Sequence, residues 1–378
     1  ACFGVSGGYE RPMWFALDGE KAEYEYSYNY QSWYPSAEYE TNNTIKNVGL
    51  YDLTPFSKFE IKSDIAHQEL QKICTANIKN EPGRCTYTHM LNPSAGIETD
   101  LTVICVEKNH FRIISSAATR ERDKFHIKKY LPEDIELRDI TDDLCVFGLF
   151  GPKSRDLLKT LSKDNFENEQ FKFSHAKFIT INEIKIWVQR LSYVGELGYE
   201  LYVELKDSKK IYELLIEKGK NFNLSNCGMH AMDIMRMESG FLHWGHDISP
   251  EENQYQAGLA FTISNKKDVN FVGKKALNKI KKEKIKSRFA MFVLKDSKPG
   301  EPLLLHDEPI YLDDRIIGRS TSGNYSFNFK KNLTFGYINN DFSDAELQNK
   351  NLFIEVEKKK FLIELISKPL KQTNFKNI

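Results

Sequence analysis

The strongest constraint on the fold lies in the last third of the chain, where the rhythm of the sequence changes. From about residue 285, short alternating runs follow one another: RFAMFVL, EPIYLD, RIIGRSTSG, LTFGYI, LFIEVE and KFLIELI, with turns such as Asp313-Asp314. Period-two alternation puts the apolar side chains of a strand on one face. Consecutive strands with no helix between them must cover that face and their edges by closing or stacking, so this part is expected to be a small barrel or sandwich. The region before it mixes helical and strand periods. A boundary near 280 therefore divides an α+β region, 1–280, of one or two subdomains, from an all-β module, 281–378.

Within the first region, the aromatic-rich opening, with Trp14, Phe15 and tyrosines from Tyr24 to Tyr39, reads as a segment wrapped over a larger body. KFEIKS alternates like a strand. DIAHQELQKICTANI reads as a helix with Ile65, Leu70 and Ile73 on one side and Asp64 as its cap. LTVICV and FRIISS form a hairpin across 107–110. A polar helix is expected near 119–130, then the strand LCVFGLFGP, and a second strand pair, KFITI and IKIWVQRLSYV, turns at Asn182-Glu183. DSKKIYELLIEKGKNF is a helix capped at Asp207 or Ser208, and GMHAMDIMRMESG one that stops at Gly240.

Lys plus Arg and Asp plus Glu number 53 each among 378 residues. A neutral chain lacks the basic surface that nucleic-acid binding requires, and the lysine-rich stretch at 275–288 reads as a solvated helix face. No apolar run approaches the roughly 18 residues of a membrane span, and the start lacks the basic and apolar blocks of a secretory signal. The six cysteines form no C-x-x-C pair, which leaves no zinc or iron–sulfur framework. Lying mostly in apolar runs, they fit buried thiols in a reducing compartment, the cytoplasm.

Four stretches place charged groups beside conformationally special residues. In YTHMLNPSAGIETDLTV, Gly96 precedes a strand on which Glu98 and Asp100 share a face. Each is either an exposed turn carboxylate or a partly desolvated one able to hold a cation or accept a proton. In QRLSYVGELGYELYV, Gly195 and Gly198 bracket Glu196, which is either a solvated hairpin residue or a carboxylate for a donor–acceptor heterocycle edge. Arg190, just upstream, is a second ligand-binding candidate, or the partner of a surface acid. In MHAMDIMRMESGFLHWGHDISP, Met229, Met232 and Met235 are core by spacing. Arg236 interrupts them, either to bind an anionic ligand group or to neutralise Asp233 or Glu238. His243, His246 and Asp247 have no further ligand nearby, so no metal is expected. The last stretch, GRSTSGNYS, reads as a polar loop between barrel strands.

In this order, GIETDL, SYVGELGYE, MRMESG and TSGNYS resemble the signature segments of the glycine-cleavage T-protein (aminomethyltransferase) family. VGLYDLTPFSKFEI and FVGKKAL match its flanking segments. The match runs through nearly the whole chain. GGYERPMWFA and CGMHAMDIMRMESG resemble the branch formed by the folate-binding C-terminal half of dimethylglycine and sarcosine dehydrogenases. The resemblance implies a folate-binding T-protein-like fold, a multi-domain cloverleaf with a C-terminal barrel, and tetrahydrofolate as cofactor.

It further implies that Asp100 is catalytic, beside the bridging nitrogens of the folate, and that Glu196 grips the pterin edge. Tyr87 lines the same funnel, and Arg236 lies near the cofactor. The expected reaction moves a one-carbon unit from a methylated amine or its iminium to tetrahydrofolate, giving 5,10-methylenetetrahydrofolate. No G-x-G-x-x-G dinucleotide fingerprint occurs, so the chain is expected to be either a stand-alone folate unit, with a flavin oxidase as a separate subunit, or part of a split or trimmed enzyme. Alternatives are methyl transfer from a sulfonium or quaternary amine, as in dimethylsulfoniopropionate demethylase, and a non-catalytic folate-binding partner subunit or assembly factor. Thr99, Ala95 and Val194 depart from the glycine-cleavage branch, at positions that bear on the aminomethyl-lipoyl reaction more than on folate binding.

Overall fold

The computed structural model describes residues 1–372 and 375–377. Three β units carry the chain. A six-stranded sheet runs in the order Ala176–Ile181, Ile184–Gln189, Gly198–Glu204, Leu144–Phe150, Val48–Asp52, Leu224–Cys227. A five-stranded sheet, Cys85–Leu91, Ile97–Glu107, His110–Ser115, Ser57–Lys62, Leu137–Asp139, is built wholly from chain inserted between Val48–Asp52 and Leu144–Phe150. The first region thus holds two large sheets, each with its own apolar core, and a two-stranded ribbon, Cys2–Ser6 with Tyr9–Trp14.

The third unit is the closed six-stranded barrel that the alternation required, beginning at Ser287. It contains one feature with no counterpart in the strand reading. A short helix, Asp344–Gln348, is started by a capping box between Ser343 and Glu346. GRSTSGNYS is also no loop: it continues the strand Arg315–Ser326.

The other differences have local causes. The helix Ala66–Ile73 has no side-chain cap from Asp64, and Ile65 stands outside it, partly exposed. The strand Gly198–Glu204 passes directly into the helix Leu205–Gly219, which starts before either proposed cap. Asn182 and Glu183 both adopt positive φ, as a two-residue hairpin turn requires. Part of the aromatic opening does pack down, with Trp14 buried, whereas Tyr26 and Tyr28 remain exposed. Its second half forms the helix Tyr34–Lys46.

Candidate functional site

The site begins on the inserted sheet. Cys85–Leu91 and Ile97–Glu107 pair antiparallel with His89 opposite Asp100 and Tyr87 opposite Thr102, so Tyr87, His89 and Asp100 share a face. The reverse face of Ile97–Glu107 sends Ile97, Leu101 and Val103 into apolar packing. Gly96 starts this strand because the backbone carbonyl of Pro250 would lie 1.8 Å from any Cβ there. Tyr87 Oη donates to Asp100 Oδ2 at 3.2 Å and lies 3.3 Å from His89 Nε2. His89 is fully buried, its Nδ1 3.0 Å from Thr262 Oγ1 and 3.1 Å from Gln254 Nε2. Burial pushes its pKa down to about 3, so the ring is neutral.

Desolvation dominates Asp100 too, pushing its carboxyl up to about 6 against the hydrogen bond from Tyr87. Burial likewise raises the Tyr87 hydroxyl well above the usual phenol range, with the Asp100 charge adding to it. Yet 39% of Tyr87 is accessible to solvent. Glu98, the other carboxylate on this strand, is turned aside into a 2.5 Å pair with Arg122, whose guanidinium stacks over Trp244.

The next candidates come from the loop between Ile184–Gln189 and Gly198–Glu204. Tyr193 donates to the Leu242 carbonyl at 2.9 Å and stacks on Phe241. Its hydroxyl is raised first by burial and lies within electrostatic reach of Asp100, Arg236, Asp233 and Asp247. Tyr193 is thereby fixed to the segment that follows the helix Met229–Glu238. Two residues on, Gly195 adopts φ 69° where a Cβ would meet Ser239 Oγ at 2.1 Å. Glu196 follows, 6% exposed, and receives Lys371 Nζ at 2.5 Å. Burial raises its pKa, and Lys371 opposes the rise. Glu196 is therefore neither a solvated turn residue nor a free carboxylate: a residue 175 positions away neutralises it.

Arg236 is similarly engaged. Its Nε donates to Asp233 Oδ1 at 2.7 Å, Nη1 to Asp247 Oδ2 at 2.5 Å and the Phe241 carbonyl at 3.0 Å, and Nη2 to Ser322 Oγ at 2.8 Å. It neutralises Asp233, as one alternative held, and Asp247 in place of Glu238. With the guanidinium 2% exposed, Asp233 rather than Arg236 meets solvent. Alternate residues of Arg315–Ser326 dock on this helix. Ser322 serves Arg236, Asn324 donates to Asp233 Oδ2 at 2.7 Å, and Ser326 to Glu238 Oε1 at 2.6 Å. The period-two polar spacing of TSGNYS is the imprint of that seam. Arg190 is 1% exposed and donates to the Phe171 and Lys376 carbonyls.

Tyr87 and Asp100, which the family resemblance implied for one funnel, are hydrogen-bonded neighbours, and Tyr193, His89 and Lys371 were not among the candidates. Among the described residues, no group of His, Cys, Asp and Glu could hold a metal ion, and no helix is long and apolar enough to cross a membrane.

The six- and five-stranded sheets with the closed terminal barrel define a protein of the aminomethyltransferase fold. The crystal structure of glycine cleavage system aminomethyltransferase T from Bartonella henselae matches with TM-score 0.82 over 98% of this chain and 94% of that one, at 18% identity. Residues 1–267 match the GCVT N-terminal domain, and 288–371 the glycine cleavage T-protein C-terminal barrel domain. The chain belongs to the glycine-cleavage T-protein family of folate-dependent aminomethyltransferases.

An aminomethyltransferase of Alkaliphilus metalliredigens is 31% identical over 87% of this chain and 88% of its own length. Mitochondrial dimethylglycine dehydrogenase of Rattus norvegicus is 32% identical over 97% of this chain but 42% of its own length. This chain spans about two fifths of such longer relatives.

Proposed function

We propose that the chain moves a one-carbon unit from the iminium of a methylated amine to tetrahydrofolate, giving 5,10-methylenetetrahydrofolate. The observation that carries this reading is the Tyr87–Asp100 pair. It offers a carboxyl raised to about 6, oriented by one hydrogen bond from a tyrosine whose surface stays 39% accessible. The exposed Tyr87 ring and the Tyr193 ring fit a flat heterocycle and its aryl extension. When bound, tetrahydrofolate would supply the two nucleophilic nitrogens that take up the carbon.

Asp100 would then act as proton carrier. Two new bonds to nitrogen form at the carbon, its bonds to the donor nitrogen break, and two protons move to the departing amine. A carboxyl poised near pH 6 can take a proton from an attacking nitrogen and return it to the leaving one. Tyr87 fixes its orientation through the bond to Oδ2. Glu196, already balanced by Lys371, would face the pterin edge as one half of a neutral pair.

A flavin oxidase, as a separate subunit or another part of a longer polypeptide, would supply the iminium. The likeness to dimethylglycine dehydrogenase over part of that enzyme's length supports such a partner. Incubation with tetrahydrofolate, a flavin amine oxidase and dimethylglycine tests the reaction. Methylene-folate formed beyond the spontaneous rate is the expected product. Methyl-folate would assign direct methyl transfer, and no catalysed product would leave a folate-binding subunit without turnover.

A further inference from the structure

We propose that His89 and Gln254 are positioning residues for the Tyr87–Asp100 pair: Gln254 fixes the tautomer of the His89 ring, His89 donates to the Tyr87 oxygen, and the single Tyr87 proton is thereby committed to Asp100. The consequence for turnover rests on the proposed reaction, while the order of the hydrogen bonds stands on geometry.

Each bond in this group needs one proton and one lone pair. An ionised carboxylate only accepts, so the bond from Tyr87 Oη to Asp100 Oδ2 at 3.2 Å uses the only proton the phenol has. The 3.3 Å contact between the same oxygen and His89 Nε2 then requires the ring proton to sit on Nε2. A neutral imidazole carries one N–H, which leaves Nδ1 as an acceptor.

Gln254 supplies its donor. The amide Nε2 lies 3.0 Å from Thr75 Oγ1, 2.8 Å from Thr262 Oγ1 and 3.1 Å from His89 Nδ1. Thr262 Oγ1 and His89 Nδ1 are themselves 3.0 Å apart, so one N–H serves Thr75 and the other is shared between these two acceptors. Thr262 gives its own proton to the Leu259 carbonyl at 2.7 Å. Among the described residues, Gln254 Oε1 is buried without a partner. Turning the amide over would exchange that one orphaned acceptor for two orphaned donors, so the nitrogen faces the ring. Both side chains are completely buried, and bulk water offers neither ring nitrogen a substitute.

The backbone holds Gln254 in place relative to Asp100. Asn253 Oδ1 accepts the N–H groups of Tyr255 and Gln256 at 3.0 and 3.1 Å, forming a turn at Gln254. The Glu252 carbonyl accepts the Ile97 N–H at 2.9 Å, at the head of the strand Ile97–Glu107 that carries Asp100. The segment leading toward the barrel is thus fastened to that strand and reaches back through His89 to the phenol. The result is a one-way chain, Gln254 to His89 to Tyr87 to Asp100, in which each bond polarises the next. It favours the ionised carboxylate, the form that takes a proton from an attacking nitrogen. Two further ionisable groups lie within electrostatic reach of Asp100, Tyr193 from its loop and Asp123 from the helix Arg120–Tyr130. They are engaged with the Leu242 carbonyl and Thr119 Oγ1 and stand outside the chain.

The test reads the His89 ring directly, by long-range nitrogen–proton NMR of the whole chain at pH 7.5, with the signal assigned by its absence in His89→Gln. Wild type is expected to show the Nε2–H tautomer, and an Nδ1–H ring would overturn the inference. Gln254→Glu sets a carboxylate beside Nδ1, where it holds the proton as the aspartate of serine proteases does. That variant should show an Nδ1–H ring and draw the Tyr87 proton away from Asp100. The proton affinity of Asp100 should then rise about three- to tenfold, the worth of one hydrogen bond. Carbon NMR of the carboxyl signal missing from Asp100→Asn measures it. His89→Gln, whose amide puts an N–H at the Nε2 position, should keep that affinity within about twofold of wild type. A flipped ring with an unmoved Asp100 would also overturn the inference. If Gln254→Glu fails to fold, the wild-type ring still decides. Turnover of Gln254→Glu should show its rising limb at higher pH, with tetrahydrofolate affinity within about twofold. Absence of turnover in wild type would sink the proposed reaction and leave the tautomer and the Asp100 titration to be read on their own.

Discussion

Asp100 and Glu196 look alike in the sequence, each an acidic residue beside a glycine turn and an apolar strand. Their surroundings make them opposites. Asp100 has a phenol as its partner, and desolvation raises its pKa to about 6. Glu196 is sealed against Lys371, delivered by the chain beyond the barrel. One region keeps a carboxyl reactive by withholding a counter-ion, and the other stores a charge by supplying one. The chemistry of an acid is thus set less by its local motif than by what distant chain brings to it.

The sharpest way to break this contrast is to remove each acid. Asp100→Asn keeps shape and loses the proton acceptor. Turnover should fall about 10²- to 10⁴-fold, the usual worth of a positioned acid–base group, with tetrahydrofolate affinity nearly unchanged. Equal turnover would remove the role. Lys371→Met leaves Glu196 buried and unpaired, which should cost about 3–5 kcal/mol in urea unfolding, the range for breaking one side of a buried pair. Most of the loss should vanish in the Lys371→Met, Glu196→Gln double variant. Additive losses would mean the pair is not coupled.

Smaller effects follow from pH. Because the folded state raises the pKa of Asp100, its protonated form favours folding. That contribution is complete below the unfolded value near 4 and is lost as pH climbs through about 6. Asp100→Asn should therefore melt higher than wild type above pH 6 and alike below pH 4, measured by calorimetry. Wild-type turnover should rise with pH through the same window. Tyr87→Phe, the mildest change, deletes the hydrogen bond that lowers the Asp100 pKa. It should move that rising limb to higher pH and slow turnover several-fold, about 1 kcal/mol. An unmoved limb would show that the phenol does not control the acid.

What could be read without coordinates follows the same division. The barrel strands were legible because period two is written locally, in runs such as RFAMFVL and KFLIELI. Tyr87 and Asp100 were linked only through the family resemblance; that they lie on adjacent strands of one hairpin was not read from the residues. The helix Tyr34–Lys46 was not, because its buried side carries Glu40, Thr41, Asn43 and Thr44 in place of an apolar stripe. Those residues are satisfied by distant chain: Glu40 by the N–H groups of Phe15 and Gly228, Asn43 by Asn223 and Ser225. The Lys371–Glu196 pair was hidden for the same reason. No local period signals an ion pair closed across the whole fold.

The most direct measurement is isothermal titration of the wild-type chain with tetrahydrofolate at pH 7.5. Saturable one-to-one binding in the micromolar range, weakened at least about tenfold by Tyr87→Ala and little changed by Asp100→Asn, is the expected result. No binding up to high micromolar concentration, or binding indifferent to Tyr87, would contradict a site built for a reduced pterin.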